Sequence, residues 1–377
     1  MKRLAFLFIL FGFACSQPAK QSKMPYTKAD FEKTIDGKKT DLFTLENTNG
    51  MRVDLTNFGA KVVSILVPDR DGNMTDVCLG FKSVTEYQEG QKQYGAVIGP
   101  YANRIGDAQF ELNGVVYHLP ANDHGNCLHS GPHSFDRQVY DAEKIQTPEG
   151  PAVKMTLHRK DGDSGFPGNK VVTVTYTLTD KNELKIHYEA TTDKACPFNL
   201  TNHTYFNLKG TGQGDILSQV VVIDADSTTE VNDELIPTGK IISIKGTDMD
   251  FTSPHPIGER INSDFTPIKL AGGYDQNYIL NKDQNGHEMT FAASVYEPKS
   301  GRFMEVFTTE PAIQFYSGNF QDGSIIGKYG HKWEYRNGMC LETQHYPDSP
   351  NHPSFPNTIV EPGDTLQSTT IYKFSVK

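Results

Sequence analysis

From residue 41 onward the chain is a succession of short β-branched and aromatic runs, each closed by turn residues. That pattern confines it to a fold built of strands. The clearest runs are residues 52–58, 61–67, 170–178, 183–189, 219–223 and 289–296. Turn signals separate them, among them Pro68-Asp69-Arg70-Asp71-Gly72-Asn73 and Asp180-Lys181-Asn182. Asn113-Gly114 is a strong hairpin signal, because both residues tolerate the positive φ of a tight two-residue turn. No long window repeats its apolar residues at about 3.6 positions, so helix is expected only as short turns at residues 83–89 and near 252–262. A length of 377 residues could hold more than one domain, but no repeat and no shift in composition follows residue 28. The expected fold is all-β: one large antiparallel β-sandwich, a single domain over residues 29–377.

Residues 1–28 have another character. Lys2 and Arg3 precede an apolar run over residues 4–13, too short for a membrane span and shaped like a secretory leader. It ends at Gly12-Phe13-Ala14-Cys15-Ser16, which resembles a bacterial lipoprotein signal. Residues 1–14 would then be a signal peptide, Cys15 would carry lipid, and residues 15–28 would form a tether. Gly12 departs from that pattern, which prefers leucine at this place. The expected location is that of an exported lipoprotein, periplasmic or attached to the outer membrane. Any membrane contact would run through Cys15 alone. The 36 basic and 46 acidic residues give a net charge of −10, which disfavours nucleic acid as a partner. Cys78, Cys127, Cys196 and Cys340 show no metal spacing; Cys78 and Cys340 sit between apolar neighbours, so buried free thiols are expected, with a disulfide left open in an exported protein.

The stretch 197–208 carries the chemistry. At a strand's period of two, one face is Phe198, Leu200, Asn202, Thr204, Phe206 and Leu208, apolar at both ends. The other face is Asn199, Thr201, His203, Tyr205 and Asn207, a row that can read hydroxyl groups and move a proton. The same period puts Cys340, Glu342 and Gln344 on one face of 338–344, with Met339 and Leu341 opposite. Glu342 is either a strand-end residue reaching water or a partly buried carboxylate with a raised pKa suited to a general base. His124, His129 and His133 lie in turn-rich sequence, without the fixed spacing of a metal site. Arg104, beside Asn103, offers a fork of donors, and Asp275 and Gln314 sit at a turn and in an apolar run. Each alone is more often structural than functional. The chain has no Walker A loop, no zinc-protease helix motif and no nucleophile elbow, and the glycines at 210, 212 and 214 read as a turn.

Taken in order, the words Asn103-Arg104, Leu128-His129-Ser130-Gly131, Asn202-His203-Thr204-Tyr205-Phe206-Asn207, Gly273-Tyr274-Asp275, the run 314–320 and Leu341-Glu342-Thr343-Gln344 resemble the aldose 1-epimerase (galactose mutarotase) family. The resemblance covers nearly all of residues 40–377. It implies a large β-sandwich of the galactose mutarotase type with an open groove on one sheet. It also implies an isomerase that interconverts the α and β anomers of free aldoses such as glucose and galactose. His203 would be the general acid and Glu342 the general base. Arg104, His129, Asp275 and Gln314 would bind sugar, with Asn103 and Tyr205 beside them. The family usually has His-Leu-His-Gly-Gly where this chain has Cys127-Leu128-His129-Ser130-Gly131, which bears on substrate preference. The chemistry requires no metal and no redox cofactor; Ca2+ on so acidic a surface stays open, although no loop spells a site. A hexose-6-phosphate epimerase would need further cations near Arg104. The expected partners are free aldoses and the expected state is a monomer.

Overall fold

The computed structural model describes residues 23–90 and 93–377; the leader, Cys15 and the start of the tether lie outside the described residues. Nine strands form a back sheet. Their order is Asp141–Thr147, Gly150–Arg159, Lys170–Leu178, Glu183–Thr192, Leu366–Val376, Arg302–Thr308, Thr290–Tyr296, Val220–Ile223 and His255–Pro256. Neighbours are antiparallel throughout. The front layer holds a six-stranded sheet in the order Tyr205–Phe206, Met339–Gln344, Ala312–Tyr316, Asp275–Leu280, Ala225–Val231 and Pro237–Ser243. A four-stranded sheet, Leu42–Glu46, Arg52–Thr56, Lys61–Pro68 and Met74–Asp76, lies beside it. Backbone bonds join the two: Val77 N–H to Ile65 O, Leu79 N–H to Tyr205 O and Asn207 N–H to Val77 O, each 2.9 Å.

Alternation drives the layers together. Glu183–Thr192 buries Leu184, Ile186, Tyr188 and Ala190, while Lys185, His187 and Glu189 stay half-exposed. These side chains meet Val53, Leu55, Val62, Phe206, Phe315 and Leu341 of the front layer in one core. Two back-sheet tyrosines cross that core and donate to front-layer carbonyls, Tyr176 to Ala60 at 2.6 Å and Tyr372 to Leu341 at 2.8 Å. Each thereby satisfies a buried hydroxyl that would otherwise oppose folding.

The Asn113-Gly114 turn closes the hairpin of Gln109–Leu112 and Val115–His118 with φ of 53° and 78°. The helix expected at 83–89 is Val84–Glu89, capped by Ser83, whose Oγ accepts from Glu86 N–H. Near 252–262 there is only a 3-10 turn, Ile257–Glu259, and the α-helix lies further on at Thr266–Ala271. Six residues make less than two turns, too few to show an apolar period. Packing begins within the expected tether: the Tyr26 hydroxyl lies 2.8 Å from Asp54 Oδ2 and 2.7 Å from Ser64 Oγ. Cys78, Cys127, Cys196 and Cys340 are buried free thiols.

Candidate active site

Strand register assembles the site. Glu342 stands opposite Gln314, and Gln314 opposite Asn277. Cys340 stands opposite both Tyr205 and Tyr316, and Tyr316 opposite Asp275. Residues two apart share a face, so these two rungs present Asp275, Gln314, Tyr316, Cys340, Glu342 and Tyr205 on one surface. Met339, Leu341, Ile313 and Phe315 point the other way, into the core. His203, two residues before Tyr205, falls on the Glu342 rung, and its Nε2 lies 3.6 Å from Glu342 Oε1. The His203 ring packs 5.1 Å from Tyr205 and 5.2 Å from His129.

A second ladder supplies the opposite wall. Arg104–Ile105 pairs with Cys127–Leu128, which places His129 just beyond the pair. The Asn103 N–H donates to His129 Nδ1 at 3.1 Å, so the neutral ring carries its proton on Nε2. Asn103, His129 and Ser130 all hold left-handed backbone, with φ of 62°, 53° and 62°. Strained residues of this kind gather at functional sites. Ser130 offsets its strain: its hydroxyl donates to Tyr101 O at 2.9 Å and accepts from Tyr101 N–H at 2.8 Å. Cys127 packs in the main core. Neither residue that departs from the family pattern lines the cleft.

Charge is tightly arranged. Arg104 Nε–H donates to Asp123 at 2.9 Å, and its Nη1 lies 3.8 Å from Asp275. Gln314 donates its amide to the other Asp275 oxygen at 2.7 Å. Burial pushes the Glu342 carboxyl well above its usual range; the Asp275 charge adds to this and Arg104 opposes it. Asp275 is raised by burial against the pull of Arg104 and Gln314. His129 is held well below the ordinary histidine value by burial, then by His203 and Arg104. Glu342 Oε2, in the cleft lining, is a buried polar atom without a hydrogen-bond partner among the described residues, which leaves it open to a ligand.

Seven of the eight expected residues, Asn103, Arg104, His129, His203, Tyr205, Asp275 and Glu342, line one cleft of about 170 Å³. That is smaller than the roughly 300–1,000 Å³ of drug-sized ligand sites and suits a single sugar ring. Gln314 stands behind this wall and holds Asp275. His124 and His133 are exposed and do not enter. Gln93, Leu128, Tyr316 and Phe320 complete the lining and went unpredicted. Tyr316 was legible, since it shares the Gln314 face at period two; Gln93 has no local signal. His129, His203 and Glu342 bring candidate ligand atoms within 4.8 Å of one another. Two imidazoles and one carboxylate are not the all-oxygen set that Ca2+ takes.

A histidine–glutamate pair sunk in a cleft the size of one sugar ring suits acid–base work on a small hydroxylated ligand. The sequence pattern of the family described as Aldose 1-epimerase matches residues 41–373. Galactose mutarotase of Rattus norvegicus is 40% identical over 326 residues, 86% of this chain and 92% of that one. Aldose 1-epimerase of Escherichia coli (strain K12) is 38% identical over 344 residues, 90% of this chain and 96% of that one. The crystal structure of galactose 1-epimerase from Lactobacillus acidophilus NCFM superposes with a TM-score of 0.80 at 29% identity, covering 91% of this chain and 97% of that one. This chain belongs to the aldose 1-epimerase family.

Proposed function

We propose that the protein is an aldose 1-epimerase acting on free aldoses such as glucose and galactose, with Glu342 as base and His203 as acid. The observation that carries this is the 3.6 Å approach of His203 Nε2 to Glu342 Oε1 at the floor of the cleft. O1 and O5 of an aldopyranose are both bonded to C1, so a donor and an acceptor this close can address both oxygens. Glu342 takes the O1 proton as the C1–O5 bond breaks, and protonated His203 gives its Nε2 proton to O5. The products are the open aldehyde, a neutral imidazole and a carboxylic acid. Rotation about C1–C2 presents the other carbonyl face, and closure returns both protons. Each transfer contributes about 10²- to 10⁴-fold. No electron or hydride moves, so the reaction needs no cofactor. Asp275, Arg104 and the His129 Nε2–H hold the remaining hydroxyls. Among the described residues Arg104 is the one lysine or arginine lining the cleft, and it is already paired with Asp123, which favours unphosphorylated sugars.

Polarimetry tests this directly. The protein should speed the relaxation of freshly dissolved α-D-galactose or α-D-glucose, and His203→Asn and Glu342→Gln should abolish the effect. Wild-type protein that leaves every common aldose at the buffer rate would refute it.

We further propose that the chain is exported as a lipoprotein anchored at Cys15, on the strength of Lys2, Arg3, the apolar run 4–13 and the small residues before Cys15, and that it acts as a monomer. Mass spectrometry of the protein from its own cells should find a lipidated N-terminal Cys15. An N-terminus at Met1 would refute export by this route. A detergent-solubilised mass of two chains would refute the monomer.

A further inference from the structure

Cys340 touches His203 and takes no part in the proton transfers above. It stands two residues before Glu342 on the strand Met339–Gln344, flanked by Tyr205 and Tyr316 on the neighbouring strands. Its Sγ lies 3.4 Å from His203 Nδ1, the ring nitrogen other than the one facing Glu342. The side chain is fully buried, and burial with the Glu342 charge pushes the thiol pKa well above its usual value. The group is therefore a neutral S–H at any working pH. Sulfur accepts weakly from an N–H and the S–H donates weakly, so a thiol can orient an imidazole without binding it strongly.

We propose that Cys340 is a positioning residue for the catalytic acid: it accepts from His203 Nδ1–H and so aims Nε2 at the ring oxygen, while its neutral sulfur leaves the imidazolium a stronger acid than a carboxylate partner would. This rests on the assignment of His203 as the acid.

The chemistry asks for such a partner. The same group must give a proton to O5 and take it back at every turnover, so its pKa has to lie near the working pH. A carboxylate at Nδ1 would hold the ring protonated by charge. His203 already meets carboxylate charge on its other side. Glu342 faces its Nε2, and Asp275 and Arg104 stand further across the cleft. His129 and Tyr205 pack on the ring at 5.2 and 5.1 Å. The strand Ala96–Ile98, which pairs with Thr201–His203, brings no titratable side chain. The sulfur thus supplies direction at Nδ1 without adding charge.

Cys340→Ala and Cys340→Ser test this through kcat, KM and the pH dependence of kcat, all by polarimetry. In the alanine variant kcat should fall about 10-fold, because the ring is no longer aimed. KM should stay within about 2-fold, because Cys340 does not line the cleft. The basic limb of kcat, which reports loss of the His203 proton, should move to lower pH by about half a unit as the acceptor for Nδ1–H is removed. Serine should restore most of kcat. Wild-type kcat and an unmoved limb in the alanine variant would overturn the proposal. So would a rise in KM alone, or a serine variant no better than alanine. Circular dichroism at the assay temperature confirms that each variant is folded. If alanine does not fold, the 15N shifts of His203 in wild type and Cys340→Ser decide. A wild-type Nδ1 that is not protonated in the neutral ring overturns the proposal. His203→Asn separates the two ideas: if it is inactive while Cys340→Ala behaves as wild type, only the role of Cys340 falls, whereas an active His203→Asn removes the acid assignment itself.

Discussion

Asp275→Asn should extend the activity to lower pH even as it weakens sugar binding. Glu342 works as a base only when ionised, so its pKa sets the acid limb of kcat. Two causes hold that pKa up, burial first and the charge of Asp275 second. The substitution removes the second cause and leaves the first. Asp275–Leu280 is separated from Met339–Gln344 by the strand Ala312–Tyr316. Two strand spacings put the carboxylates on the order of 10 Å apart. At an effective dielectric of about 20 the repulsion is then about 1.7 kcal/mol, or roughly 1.2 pH units. Arg104 lies 3.8 Å from Asp275 and opposes the rise at Glu342; with Asp275 neutral, its charge is less compensated and acts in the same direction. The acid limb of kcat, measured by polarimetry with saturating galactose, should therefore move about one unit toward lower pH. KM should rise at all pH values, because Asp275 lines the cleft. An acid limb that stays in place or moves upward would refute the electrostatic account, whatever happens to KM.

Other perturbations separate stability from catalysis. Lys328 is buried with Nζ 2.7 Å from Asp76 and 2.9 Å from Ser64 Oγ, so Lys328→Met strands a buried carboxylate and should cost about 3–5 kcal/mol in urea unfolding. Glu342→Gln should stabilise the fold while abolishing activity. A carboxyl whose folded pKa is raised costs nothing well below its unfolded value and progressively more as pH rises above it. The gain in Tm over wild type should therefore be small near pH 4 and grow toward pH 8, and a gain that shrinks with pH would contradict the burial of Glu342. Ser130→Ala keeps the left-handed backbone and loses both bonds to Tyr101, whereas Ser130→Gly loses the bonds but relieves the strain. Calorimetry should rank wild type above glycine and glycine above alanine, with about 1–3 kcal/mol lost in the last. Gly95→Ala should be the most damaging of the small changes. A Cβ there would lie 2.0 Å from the Val62 carbonyl oxygen on a backbone with φ of 71°, so circular dichroism should find little folded protein.

Period two carried most of what could be foreseen, and it did so for a physical reason. A front-layer strand covered on both sides shows no polar-out alternation in burial: Met339–Gln344 is buried at every position. What distinguishes its faces is chemistry, with Met339 and Leu341 toward the core and Cys340, Glu342 and Gln344 toward the cleft side. The same logic divided residues 198–208 correctly at its centre, where His203 and Tyr205 line the cleft while Asn202 turns inward to Gly95 O and Tyr176. The ends of that row have supporting roles. Asn199 and Asn207 spend their amides on loop carbonyls, Ala102 and His345 for one and Gly214 and Asn337 for the other. Such partners lie up to 146 residues away and leave no local trace. The same holds for Asp123, which reaches Arg104 only because the Arg104–Ile105 and Cys127–Leu128 strands pair. A sequence pattern thus locates groups that face a common space, because facing is a local property of the strand. How their charges are shared, Arg104 between Asp123 and Asp275 and Asp275 between Arg104 and Gln314, is decided by long-range register. Burial raises the Glu342 pKa first, and this sharing decides how far Asp275 adds to the rise and Arg104 opposes it, and so adjusts the pH at which the pair can work.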